Sequence, residues 1–187
     1  MCRISVARAG GANVCAMLDT IAFSEIGPRM LAESDDGYNV QVGSRPGRLR
    51  LIAGYDAHPN EVVPVKFADP ANGTDKVVRS SAAGRYQFLR GTWSALAAAL
   101  SLPDFSPESQ DIACVQLLRE CGSLPLVHAG DVQAAIVAAK RIWASFPGAG
   151  YGQPEHRMGQ LIEAFNAARR RYERADFSNV QSGVTTT

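Results

Sequence analysis

"NVCAMLDTIAFSEIG", residues 13–27, is the stretch from which the rest of the chain can be read. Val14, Met17, Leu18, Ile21 and Ala22 recur at i, i+3, i+4, i+7 and i+8, the spacing of one apolar face of an α-helix. Asn13 can cap the start through its side-chain oxygen, and Gly27 followed by Pro28 ends it. The helix runs into a lone carboxylate, Glu25. At a helix C-terminus the macrodipole is negative, so a carboxylate there holds its proton more tightly. That contribution is about 0.3–1 kcal/mol, less than one pKa unit, so burial in a cleft has to supply most of any shift into the range of a general acid near neutrality. A solvated glutamate at a helix end is the plain alternative, and position by itself does not separate the two.

Working outward, Tyr38 to Ile52 alternates as "YNVQVG" and "LRLIAGY" around Gly43, Pro46 and Gly47, which reads as a small hairpin. Residues 55–81, with Pro59, Pro64, Pro70 and "NGTD", read as loop. A helix is expected from Tyr86 to Leu100, with Phe88, Leu89, Trp93, Leu96 and Leu100 on its buried face. The next begins with Ser106 as N-cap and Pro107 at the first helical position and stops at Gly122. Asp131 caps a further helix through Ile142 and Trp143, ending at Pro147. The last spans about Glu155 to Arg174, with Met158, Leu161, Ile162 and Phe165 inward. The expected architecture is α+β: mostly helical, with one small antiparallel sheet near the N-terminal third. Residues 1–12 form an N-terminal extension, 13–175 a single catalytic-sized domain, and 176–187 a polar tail that reads as disordered.

Composition excludes several function classes. The chain has 187 residues, 46% of them hydrophobic, which suits one globular domain with a real core. A net charge of +1 lacks the basic surface that nucleic-acid binding needs. Asn13 and Asp19 interrupt the N-terminal Ala/Gly/Cys run well before the roughly 20 apolar residues of a membrane span, and there is no signal-peptide core. Cys2, Cys15, Cys114 and Cys121 show no zinc-ligand spacing, and His58, His128 and His156 are scattered, so no metal and no cofactor is expected. Cys114 and Cys121 lie about 10 Å apart along one helix, too far for a disulfide.

Two further stretches carry ligand-binding chemistry. "SSAAGRYQF", residues 80–88, combines small residues that admit a close backbone with the donors of Arg85 and Gln87 and the ring of Tyr86. "IWASFPGAGYGQPEH", residues 142–156, has the Gly/Pro composition of a loop at a binding edge and includes Tyr151. An ordinary helix start and a long helix connection are the bland readings of the same residues.

Taken in order, "SE" at 24–25, "GYNVQVG" at 37–43, "HP" at 58–59, "AGRYQ" at 83–87, "FSP" with "SQD" at 105–111 and "WASFPGAGYGQ" at 143–153 resemble the phage lambda endolysin family of peptidoglycan lytic transglycosylases. The resemblance spans about Met17 to Ala168. It implies a lysozyme-like fold that cleaves the β-1,4 bond between N-acetylmuramic acid and N-acetylglucosamine, leaving 1,6-anhydro-muramoyl ends. The family's catalytic glutamate falls on Glu25. Ser24 is its expected neighbour, able to hydrogen-bond its carboxyl or the sugar, and Ser24, Tyr38, Arg85, Tyr86, Gln87, Tyr151 and Gln153 are the expected substrate-binding residues. Two loops that form lips over the cleft in that family correspond to about 67–81 and 147–153. The resemblance also implies a monomer made in the host cytoplasm that reaches periplasmic peptidoglycan after holin-dependent release.

The residues support such a route independently. Most glycosidases need two carboxylates flanking the bond, and Glu33, Asp35, Asp36 and Asp56, the acids nearest Glu25 in sequence, look like solvated surface acids. If the muramic acid C6 hydroxyl attacks C1, no second carboxylate is required. A hydrolytic muramidase using one of Asp35, Asp36 or Asp56 is the first rival, and a non-catalytic glycan-binding module the second. One departure from the family stands out: its "FTDY" before the His-Pro pair reads "IAGY" here, residues 52–55. Near the end, Arg169, Arg170, Arg171 and Arg174 form a basic stretch that either decorates a solvated helix or is attracted weakly to the anionic cell envelope.

Overall fold

A computed structural model describes residues 1–69, 74–150 and 155–182. Its elements in chain order are α1 (Val6–Ala9), α2 (Ala12–Ile26), α3 (Pro28–Ala32), β1 (Val63–Asp69), β2 (Thr74–Ser80), α4 (Arg90–Leu100), α5 (Pro107–Glu120), α6 (Leu124–Ala129), α7 (Val132–Ala139) and α8 (Met158–Ser182). The α+β class expected from the sequence is the one observed.

The opening stretch becomes the axis of the molecule. Not only its predicted stripe but also Cys15, Ala16, Asp19 and Thr20 are buried. A helix apolar on nearly all sides belongs in the interior, and α8 packs along it, with α1, α5 and α6 also against it. Gly11, with φ 123, occupies the N-cap position. Asn13 is therefore not the cap; it lies inside the first turn. The expected caps of α5 and α7 do form: Ser106 accepts from the Ser109 amide, and Asp131 from that of Ala134.

The sheet is not where the sequence placed it. β1 and β2 pair antiparallel, with Val63 opposite Ser80 and Val65 opposite Val78, inside the stretch read as loop. Pro64 argued against a strand, but both strands of a two-stranded sheet are edges, where a missing N–H is tolerated. The expected hairpin at 38–52 forms no continuous ladder. Its segment around Gln41 divides its bonds instead: the Gln41 amide donates to Arg50 O on one side, and the Val42 amide to Ala82 O on the other, 2.8 and 2.9 Å. The bridges Val40–Leu51 and Gln41–Ala83 are the result.

Three helix boundaries also move, and α7 ends at Ala139, short of the expected Pro147. "AGRYQF" is a tight turn closed by Ala83 and Phe88, so α4 starts at Arg90. The α8 backbone continues to Ser182, past Arg174. The last five residues of the expected tail lie outside the described residues.

Residues 1–5 are woven into the body. The Cys2 amide donates to Asp19 Oδ1 and Tyr172 Oη, and the amides of Arg3 and Ile4 both reach Asp111 Oδ2 at 2.6 and 2.8 Å. All four cysteines are free and buried. The core joins α2 to Trp93, Phe105, Ile136, Trp143, Phe146, Leu161 and Phe165.

Candidate active site

Glu25 sits in the last turn of α2, where Gly27 (φ 80) breaks the helix and sends the chain into α3. The carboxylate is half-buried and lines a cleft of about 810 Å³. The 38–45 segment, β1, β2, the 82–89 turn and the chain after α7 supply the walls. Burial raises the Glu25 pKa from 4.5 to about 7, opposed by a hydrogen bond from the Ser145 hydroxyl to Oε1. The helix dipole invoked from position is thus secondary to desolvation, as the magnitudes required.

Ser24 is buried and faces away from solvent. Its hydroxyl donates to Ser145 Oγ at 2.7 Å, extending the chain of donors to Glu25. His156 fixes that connection from the other side: its amide donates to Ser145 O at 2.9 Å, and its Nε2 lies 3.2 Å from Ser24 O. Its ring also lies 5.4 Å from that of Phe23. Neither Ser145 nor His156 was singled out from the sequence. Ser145 was hidden inside a loop motif, and nothing in the spacing says that this loop returns to the end of α2.

The 83–88 turn sets the opposite side. Gly84 adopts φ 79, and a Cβ there would lie 2.3 Å from Gln110 Oε1. Gln110 accepts from the Arg85 amide at 2.9 Å and donates to Tyr38 O and Phe105 O. Gln87, itself at φ 51, lines the cleft. Its Nε2 is bound to Gly84 O at 2.8 Å, which leaves its Oε1 for an incoming donor. This placement suits the saccharide contact expected of it.

Of the other expected saccharide contacts, the structure places Tyr38 and Arg85 in the interior and Tyr86 at the border of the cleft. Tyr38 is fully buried, and its hydroxyl donates to Asp111 Oδ1 at 2.8 Å. Tyr86 borders the cleft, but its hydroxyl also turns inward to Asp111, 2.5 Å away. Arg85 is 1% exposed and pairs with Asp19 and Asp36 at 2.6 and 2.7 Å. A guanidinium is buried at low cost only with such partners. The two tyrosine hydroxyls and the terminal guanidinium nitrogens of Arg85 are thus already engaged in the interior. Tyr151 and Gln153 lie outside the described residues.

The alternative acids are elsewhere. Asp35 pairs with Arg3 and accepts from the Tyr55 hydroxyl, Asp36 holds Arg85 and the N-terminal amine, and Glu33 accepts from Arg29 and the Gly47 amide. Asp56 is exposed and does not line the cleft. Among the described residues, Glu25 is the sole carboxylate lining it. Also among these residues, no His/Cys/Asp/Glu group is arranged to hold a metal, and no helix is long and apolar enough to cross a membrane.

The basic end is more occupied than its composition suggests. Arg169 pairs with Glu173 on α8, and Arg171 reaches back to Asp19, both at 3.3 Å.

Comparison with known proteins gives consistent matches. Residues 15–171 match the family model described as Endolysin. The chain is 39% identical over 154 residues to the endolysin of Escherichia phage lambda, covering 82% of this chain and 89% of that one. It is 38% identical over 157 residues to the endolysin of Escherichia phage P2, covering 83% and 92%. Among solved structures it is similar to bacteriophage lambda lysozyme complexed with a chitohexasaccharide, with TM-score 0.70, 38% identity, and coverage of 90% of this chain and 97% of that one. A second lambda lysozyme structure gives TM-score 0.68 at 37% identity, covering 84% and 94%.

Proposed function

This chain belongs to the endolysin family, and on that footing we propose that it cleaves peptidoglycan glycan strands for host-cell lysis by intramolecular transglycosylation. The observation that carries the mechanism is the isolation of Glu25: one carboxyl with its pKa raised to about 7, in a cleft lined by no second carboxylate among the described residues. A group titrating there is protonated often enough to act as an acid and basic enough to recover a proton afterwards.

Glu25 donates its proton to the glycosidic oxygen between N-acetylmuramic acid and N-acetylglucosamine as the bond from that oxygen to C1 of the muramic acid breaks. The resulting carboxylate then takes the proton of the muramic acid C6 hydroxyl while O6 bonds to C1. The 1,6-anhydro ring forms, Glu25 is again neutral, and no water is consumed. A hydrolase would need a base to activate water or a carboxylate nucleophile, and Asp35, Asp36 and Asp56 do not line the cleft. Gln87 is the saccharide contact best supported by its position. The binding of a chitohexasaccharide by the lambda enzyme supports a glycan in this cleft. The substrate is reached after release to the periplasm through a separate membrane lesion of the holin type.

Mass spectrometry of digested peptidoglycan tests this reading. Anhydro-muramoyl ends are expected. Reducing muramic acid ends as the main product would replace it with a hydrolytic muramidase.

A further inference from the structure

We propose that Ser145 is the positioning residue for Glu25, placing the transferable proton on the Oε2 oxygen and stabilising the carboxylate that remains after transfer. The inference rests on Glu25 as the acid. It goes beyond that assignment by giving the chain that follows α7 a direct part in the chemistry.

The argument begins with the hydrogens available. A serine hydroxyl has a single hydrogen to donate and lone pairs to accept with. Ser24 directs its hydrogen to Ser145 Oγ, and Ser145 directs its own to Glu25 Oε1. The relay therefore has a direction, from Ser24 through Ser145 to the carboxyl. With Oε1 engaged as an acceptor, the proton of the neutral acid belongs on Oε2. After transfer, the same Ser145 hydrogen bond becomes charge-assisted and strengthens, which offsets part of the cost of a carboxylate in a desolvated site.

The position of Ser145 is well fixed for this role. Trp143 and Phe146, on either side of it, are buried, and Trp143 Nε1 lies 3.3 Å from Tyr86 O. The His156 amide holds the Ser145 carbonyl, while its ring engages the Ser24 carbonyl. The hydroxyl that contacts the acid is thus carried by one segment and locked by residues on both of its flanks.

Other titratable and charged groups around the cleft do not substitute for it. His156 is occupied with Ser24 O, the Tyr86 hydroxyl with Asp111, and Arg29 of α3 with Glu33. Arg45, Lys66 and Arg79 line the cleft without bonding to Glu25. Burial raises the Glu25 pKa, and the Ser145 hydroxyl opposes it.

The experiment is a ¹³C NMR titration of the Glu25 carboxyl in the full chain without substrate, comparing wild type with Ser145→Ala and Ser145→Thr. Alanine should raise the midpoint by roughly one pH unit, the size expected for losing one hydrogen bond to a charged acceptor, and threonine should restore it. The alkaline limb of the lytic pH profile should move with the midpoint, and kcat should fall more than KM rises. Ser145→Cys, a near-isosteric but weaker donor, should shift the midpoint in the same direction and serves if the alanine variant does not fold. An unchanged Glu25 midpoint in a folded Ala or Cys variant overturns the proposal. Because these titrations contain no substrate, that result would leave the transglycosylation reading intact, and reducing-end products would leave this one intact.

Discussion

Replacing Glu25 with glutamine should make the protein more stable at neutral and alkaline pH while removing its chemistry. The sign follows from linkage. The native carboxyl has a pKa of about 7 against 4.5 for the ordinary group, so between those values the native state binds more protons than the unfolded one. The stability this contributes is fully present below about pH 4.5 and is lost as pH rises through about 7. The interval converts to roughly 3 kcal/mol at about 1.4 kcal/mol per unit. Glu25 retains partial exposure, so about 2 kcal/mol is the working figure after allowing for solvent screening. Glutamine keeps the shape and can still accept the Ser145 hydrogen bond, but it never has to ionise. Urea unfolding of both proteins at pH 4 and pH 8 gives the test. The variant should match wild type at pH 4 and exceed it by about 2 kcal/mol at pH 8, or roughly 4–8 °C in melting temperature for a chain of this size. A stability difference that is the same at both pH values would refute the reasoning, because it would mean that Glu25 ionises as easily folded as unfolded.

Three other outcomes are expected. Glu25→Gln should lower turbidity clearing of permeabilised Gram-negative cells by about 100-fold or more, the usual contribution of a general acid; more than a tenth of wild-type activity would remove Glu25 from that role. Gly84→Ala should destabilise by at least about 2–3 kcal/mol in thermal melts, since φ 79 is strained for alanine and the Cβ would meet Gln110 Oε1 and Phe105 Cζ at 2.3 and 2.8 Å. Lytic activity should survive EDTA, and a large loss reversed by zinc would reveal a metal requirement.

How legible was all this in the sequence? The axis of the fold was legible because α2 combines a helical repeat with a glycine-proline stop, both local properties. The α5 and α7 caps were equally local. The sheet was not, because Pro64 and the surrounding turn residues carry loop chemistry, and the tolerance of an edge strand for proline appears only once the strands are paired. Tyr38 and Arg85 show the same limit at the site. Their residue types suit sugar binding and buried scaffolding equally well, and the choice is made by Asp111, Asp19 and Asp36, which come from distant parts of the chain. Glu25 could be found from its position and the family resemblance. Ser24 was expected to bond the Glu25 carboxyl or the sugar directly, but its hydroxyl goes to Ser145, which lies 121 residues away and could not be joined to the site from the sequence.

The seat of the N-terminal arm has a consequence for the way the protein is born. The Cys2 amide bonds to a tyrosine 170 residues downstream, and those of Arg3 and Ile4 to an aspartate more than 100 residues away. At about 5–20 residues per second on the ribosome, the arm waits on the order of 10–30 s before Tyr172 is even synthesised. Until then Asp19, in the middle of α2, also lacks its partner Arg171. The arm is therefore among the last parts of the fold to be seated, and contacts of such long sequence separation slow the final step of folding. Nascent chains halted before α8 should remain open to protease in this arm, whereas the released chain closes over it.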